Sequence, residues 1–337
     1  MRTFGSMPSG FRNVVLFSLL ALSWGGSFVA IEIGLEHVPP LLFAGLRYAL
    51  AGMIVLGYAG VVTDRFRPTG RAEWLAVIVA GVFVIALYHG LLYIGEQYVS
   101  GAVAATIVST SPILTVAFAG AILPNERLSA VSVVGFVLGL IGVGLVVQPS
   151  RAALTSDVTV GVALVFGSAA AFALGSVLVR PLDTGLPIET LQAWAMLIGA
   201  GVLLAWAFAS GESLAAIEMT ATAVLSYGYL TLVSGVLAFL LYFELLERSG
   251  AIQVNLVGYA EPVVAIGISW LLLGSVVDAL TVLGLVTIAT GFALIKRKSI
   301  RVLLRSTLVT GRAAVSGDAQ GPTARTDGGR PAEQDAD

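Results

Sequence analysis

The chain has 337 residues, 57% of them hydrophobic and 11% charged, with a mean hydropathy of +0.95. A water-soluble domain carries about 25% charged residues, so this composition is that of a polytopic membrane protein, and the net charge of -2 says less than where the charges sit. With no cysteine, the chain excludes disulfides, thiolate metal sites, Cys-linked haem and a Cys nucleophile; His37 and His89 are too few for a His-rich metal site.

Arg2 and Arg12 followed by an apolar run resemble a signal peptide, but similar runs follow all along the chain, so the first is read as a helix and not as a cleaved leader. Ten apolar runs are visible, at roughly 13–33, 41–62, 74–95, 100–122, 130–147, 158–179, 189–209, 221–243, 250–273 and 278–295. Each is near the ~20 residues that a spanning helix needs. The predicted fold class is therefore an all-α integral membrane protein with ten transmembrane helices. Of the twelve prolines, only Pro112 and Pro262 fall inside runs, in predicted helices four and nine, where a missing backbone donor kinks or breaks a helix.

Basic residues set the orientation. One side collects Arg2, Arg12, Arg65, Arg67, Arg71, Arg127, Arg180, Arg248 and the cluster Lys296, Arg297, Lys298, Arg301, Arg305, whereas the opposite loops hold only Arg151. Both termini are predicted to be cytoplasmic, in a multi-pass protein of the cell membrane. The stretch 299–337 is rich in Gly, Ala and Asp towards its end, and it is expected to be a disordered cytoplasmic tail.

The two halves match at a shift of 149 residues. Gly26-Ser27 aligns with Gly175-Ser176, Ser100-Gly101-Ala102 with Ser249-Gly250-Ala251, and Gly135 and Gly142 with Gly284 and Gly291; Pro112 and Pro262 agree within one residue. Five crossings per repeat is an odd number, so the second repeat starts from the opposite face. The result is an inverted pair, 12–147 and 158–297, the arrangement that lets one fold present its site to either side.

An ordered set of motifs carries a family resemblance from about residue 12 to 297. Its first-half pieces are Ala21-Leu22-Ser23-Trp24-Gly25-Gly26-Ser27-Phe28, Pro39-Pro40, Gly45-Leu46-Arg47-Tyr48, Tyr98-Val99-Ser100-Gly101-Ala102, Pro112 and Asn125-Glu126-Arg127. Its second-half pieces are Ser249-Gly250-Ala251, Glu261-Pro262-Val263 and Leu272-Leu273-Gly274. The sequence resembles the drug/metabolite transporter superfamily, EamA-type. The resemblance implies a secondary carrier of small metabolites such as amino acids, with a central cavity lined by helices one, three, four, six, eight and nine. In one departure, the family's usual Leu-Gly-Glu after helix nine is replaced here by Gly274-Ser275, while Glu126 keeps the acidic position in the first half.

Glu261 is the leading candidate site residue. A carboxylate at mid-depth is expensive in hydrocarbon and faces the bundle interior or a wet cavity. It either couples protons or contacts substrate, or else bonds the backbone freed by Pro262, or Arg47. Arg47 stays charged, so it holds an anionic substrate group, snorkels, or pairs with Glu32 or Glu96. His89, Tyr93 and Glu96 share one face of helix three, which either lines an outward vestibule or hydrogen-bonds a neighbouring helix. Trp24 beside Gly25-Gly26 either packs over a ligand or simply packs. Gln253, Asn255 and Tyr259 are ligands for a zwitterion or helix–helix hydrogen bonds. Gly135 and Gly139 form a GxxxG whose contact lies within the bundle or between the protomers of a homodimer.

No GxxxxGK[ST] loop, HExxH, GxSxG or metal-spaced carboxylate cluster is present, so neither an ATP-driven pump nor an enzyme is expected. No cofactor is expected. The expected partners are the lipid bilayer and a small-molecule substrate, not nucleic acid. The function expected is export of small organic metabolites by alternating access with proton coupling; the alternative is a non-transporting scaffold or sensor that keeps the fold.

Overall fold

A computed structural model describes residues 9–123, 129–147, 157–182, 184–295 and 297; the tail expected at 299–337, Glu126 and Arg151 lie outside the described residues. All regular structure among the described residues is helical. In chain order the α-helices are α1 Ser9–Leu35, α2 Pro40–Val62, α3 Arg71–Val79, α4 Tyr88–Gly95, α5 Gly101–Val108, α6 Ser111–Ile122, α7 Ala130–Val147, α8 Asp157–Val179, α9 Ile188–Ala209, α10 Ala221–Gly228, α11 Ala238–Asn255, α12 Val257–Leu273 and α13 Ala279–Ile295. Two π-helical stretches, Ala80–Leu87 and Tyr229–Leu237, join α3 to α4 and α10 to α11.

Among the described residues, seven helical segments are long and apolar enough to cross a membrane: Arg12–Leu35, Pro40–Val62, Arg71–Gly95, Gly101–Ile122, Asp157–Leu182, Ile188–Ala209 and Ala221–Ser249. Three shorter apolar helices accompany them, Ala130–Val146, Val257–Leu273 and Ala279–Ile295.

Two predicted helices are interrupted. The run 100–122 tightens into a turn at Ser109 and Thr110, between α5 and α6, within one spanning segment. There Ser109, Thr110 and Ser111 each turn a hydroxyl onto the carbonyl three residues back, at 2.6–2.7 Å, offering the backbone local partners in place of a continuous ladder. Pro112 then sits in the first turn of α6, where a missing N–H goes unnoticed. The run 250–273 is not one helix. Residues 250–255 continue α11, the chain turns at Leu256, and α12 starts at Val257 with Pro262 in its interior. Gly274 ends α12 with φ +64, the left-handed cap that glycine adopts without cost.

The repeats meet through equivalent helices. α2 packs along α9, and α7 along α13. At the second contact a Cβ on Gly135 would lie 2.6 Å from the Gly291 carbonyl, and one on Gly142 would lie 2.7 Å from that of Gly284. These glycines are the ones that the internal repeat equates, with partners exchanged, as a two-fold requires. Gly139 faces Ile113, so both glycines of the GxxxG have neighbours in their own chain. The π-helical stretches begin at Ala80 and Tyr229, separated by the same shift of 149 as the motifs. Two five-helix repeats fit this arrangement.

Candidate functional site

A cavity of about 440 Å³ lies between the halves. Its wall takes residues from α1, α4, the α5–α6 junction, α8, α11 and α12, as the resemblance implies, and also from α2 (Arg47, Tyr48) and α9 (Ile188, Leu191, Gln192). Aromatic rings dominate the wall, with Trp24 set edge-on to Phe239 at 5.6 Å and tilted on Tyr242 at 5.6 Å.

Arg47 is 3% exposed. Its Nη1 donates to the Leu230 carbonyl at 3.1 Å and its Nη2 to the Tyr48 hydroxyl at 2.8 Å. Leu230 lies in the second π-helical stretch, and its carbonyl has two lone pairs to offer. The guanidinium also covers the Tyr48 ring at 4.0 Å and the Tyr93 ring at 5.5 Å, which adds cation–π attraction. The Tyr48 hydroxyl is 2.5 Å from His89 Nε2, and His89 Nδ1 is 2.9 Å from the Ile85 carbonyl. A carbonyl only accepts, so Nδ1 carries the proton and Nε2 accepts from Tyr48. The chain of hydrogen bonds runs from Arg47 through Tyr48 and His89 to the Ile85 carbonyl, which accepts the last of them.

No carboxylate lies within ion-pair distance of Arg47 among the described residues. The pairings considered for it do not form. Glu32 accepts from the Gly101 amide at 2.8 Å and caps α5, and Glu96 is buried with neither oxygen hydrogen-bonded. Glu261 lies in the cavity wall on α12, and nothing among the described residues donates to its carboxylate. Its backbone carbonyl backs onto Gly25, where a Cβ would approach to 2.8 Å. The cavity thus holds one cationic and one anionic side chain, from different repeats, neither neutralised by a neighbour among the described residues.

The other predicted residues divide. Trp24, His89 and Pro112 line the cavity, and Trp24 Nε1 donates to the Ser234 carbonyl at 3.3 Å. Tyr93 does not line it. It is fully buried, edge-on to Phe43 at 5.5 Å. Tyr259 packs on Phe292 at 4.3 Å, in the contact between α12 and α13. The side chains of Gln253 and Asn255 lie outside the described residues. Pro262 is buried inside α12. Of the face His89–Tyr93–Glu96, read as lining a vestibule or bonding a neighbouring helix, His89 lines the cavity, while Tyr93 and Glu96 are buried outside its wall, Tyr93 against Phe43, which stacks on Tyr227 at 6.5 Å. Tyr48, Ser109, Ser176, Gln192 and Tyr242 line the cavity without having been anticipated.

The two ends of the cavity differ. At the end beyond Ile31 and Leu92, which the cavity-lining residues do not reach and which is called the closed end, Glu212 takes the Leu41 and Leu42 amides, at 3.1 and 2.8 Å, and the Glu218 amide donates to the His37 carbonyl at 2.9 Å. The wall extends the other way to Val179, Ile188 and Gln192. That is the end where α1 begins, where Arg12 pairs with Glu244 and Thr190 donates to the Arg65 carbonyl at 2.7 Å.

An all-helical multi-pass fold with a cavity between related halves is that of a membrane transporter. The chain belongs to the EamA-like transporter family, whose profile matches it twice, over residues 12–148 and 159–297. It is 28% identical over 289 residues to an uncharacterized transporter, YvbV, of Bacillus subtilis, covering 86% of this chain and 92% of that one. It is also 28% identical over 284 residues to an uncharacterized inner membrane transporter, YedA, of Escherichia coli K12, covering 80% and 89%. One solved crystal structure superposes with a TM-score of 0.61 at 20% identity, covering 86% of this chain and 98% of that one, and so shares the fold.

Proposed function

We propose that the protein is a secondary carrier that exports small organic metabolites, amino acids among them, by alternating access. The observation that supports this most is the pair of charges in the cavity wall, Arg47 on α2 and Glu261 on α12, each without a charged neighbour in contact among the described residues. Burying a charge costs several kcal/mol unless it is paired, and a solute carrying both signs would satisfy both groups at once. The seven long and three shorter apolar helices are read as ten crossings.

With both termini cytoplasmic, as the basic residues argue, the end of the cavity near Ile188 faces the cytoplasm. Glu261 is the group read as exchanging a proton with the cavity. The scaffold alternative leaned on the missing glutamate at Ser275. That position follows the glycine cap of α12 and is not among the cavity-lining residues, so its identity does not bear on the cavity.

Counterflow into proteoliposomes, with a panel of labelled amino acids, nucleobases, sugars and organic acids, tests the reading. Saturable uptake that unlabelled solute competes supports it. Passive leak alone across the whole panel contradicts it.

A further inference from the structure

The guanidinium of Arg47 stands at the boundary between the cavity and the closed end. One turn before it on α2, Phe43 is already outside the cavity, packed on Tyr93 and Tyr227. Arg47 itself lines the cavity, yet its Nη1 bonds the backbone of the other repeat at Leu230. Neighbouring bonds cross between the same parts. The Tyr227 hydroxyl donates to the Leu46 carbonyl at 3.0 Å, and the Tyr229 hydroxyl lies 3.0 Å from the Ser23 carbonyl. Arg47 is the charged member of this set, and a cavity ligand can reach it.

The ligand's approach is restricted. Nε of Arg47 is buried, and each Nη gives one of its two N–H groups, Nη1 to Leu230 and Nη2 to Tyr48. A carboxylate prefers a guanidinium as a two-bond fork, and a fork that draws the guanidinium into the cavity competes with the Leu230 carbonyl for Nη1. Tyr48 is fixed from behind by His89, which is fixed in turn by Ile85. The Leu230 carbonyl, in the second π-helical stretch, is a neutral acceptor. A charged oxygen forms the stronger bond with a guanidinium.

We propose that Arg47 is the oxyanion subsite of the cavity, and that the carboxylate of a solute with an apolar body displaces the Leu230 carbonyl from it and so loosens the closed end. Tyr48 and His89 are positioning residues that present the guanidinium to the ligand. The proposal rests on the carrier reading and names the ligand chemistry of that site. It gives the ligand different contacts in the two states, which any ligand-driven shift requires. The apolar body follows from the wall, where Trp24, Tyr88, Phe239 and Tyr242 face the same space.

The absence of cysteine allows a direct test. Ser226 is buried on α10 beside Gly34 and Phe43, away from the cavity. In a Ser226→Cys protein held in nanodiscs, the rate of maleimide labelling reports opening of the closed end. The probe is benzoate, with uncharged benzamide as its isostere. Benzoate is expected to accelerate labelling severalfold and benzamide is not. Adding Arg47→Met is expected to speed ligand-free labelling about tenfold, as losing one hydrogen bond to a charged group implies, and to abolish the benzoate response.

Tyr48→Phe keeps the charge and loses one support. It is expected to raise the half-saturating benzoate concentration about tenfold while the maximal acceleration persists, a split that general destabilisation does not produce. If Arg47→Met fails to fold, Arg47→Lys retains the charge without the fork and is expected to weaken the response in the same way. Labelling indifferent to benzoate, or equal for benzoate and benzamide, overturns the proposal, as does an undiminished response in Arg47→Met or Arg47→Lys. Saturable counterflow of other solutes alongside a silent benzoate response would overturn the oxyanion subsite and leave the carrier standing.

Discussion

Gly135 and Gly291 meet backbone to backbone, each placed so that a Cβ would lie 2.6 Å from the carbonyl of the other. The internal repeat equates Gly135 with Gly284 and Gly142 with Gly291, so the contact is one residue pair used twice, at Gly135–Gly291 and at Gly142–Gly284. Small residues let helices approach closely enough for dispersion to act over the whole seam. Gly135→Ala and Gly291→Ala are each expected to destabilise the protein by about 1–3 kcal/mol, the usual cost of overpacking. Gly144→Ala, whose Cβ would meet nothing within 4 Å, is expected to stay within about 0.5 kcal/mol of the parent. Thermal unfolding in detergent compares the three.

Glu212 ties the closed end to α2 by accepting from the Leu41 and Leu42 amides. Those amides begin a helix and have no partner within it, and the positive end of the helix favours a carboxylate. Glu212→Ala is expected to lower stability by about 0.5–2 kcal/mol. It is also expected to increase deuterium exchange at Leu41 and Leu42 more than elsewhere in α2. Unchanged exchange at those two amides would contradict the assignment.

Gly25 spaces α1 from α12 directly behind Glu261. A Cβ there would meet the Glu261 carbonyl at 2.8 Å and Val264 Cβ at 2.7 Å. Gly25→Ala is therefore expected to displace Glu261, and a shift of about 1 Å is enough to cost on the order of a hundredfold in a positioned site. Counterflow in proteoliposomes is expected to fall at least tenfold while the protein stays monodisperse. Normal flux would show that the position of Glu261 does not matter.

Much of this was legible in the sequence because lipid punishes charge. Arg47, His89 and Glu261 stand out in apolar runs for that reason, and all three reach the cavity wall. The repeat was legible through its glycines, and the π-helical stretches follow the same shift. Tyr48 was not legible, because a tyrosine in an apolar run reads as packing and a residue next to Arg47 does not share its helical face. The turn at Leu256 was not legible either, because Asn255 and Gly258 beside it stand in a run whose composition suits a continuing helix. Tyr93 and Glu96 do follow His89 along one face, but periodicity says nothing about where a cavity stops; Phe43 and Tyr227, from other parts of the chain, decide that.

The most direct test of a charged carrier cavity is thermal stabilisation of the purified protein by a panel of amino acids, nucleobases, sugars and organic acids at pH 5.5 and 7.5. A ligand at a hundredfold its dissociation constant stabilises the folded state by about 2.7 kcal/mol. At least one charged solute is expected to raise the melting temperature, and the rise is expected to shrink in both Arg47→Met and Glu261→Gln. A rise that survives intact in both variants would contradict the account.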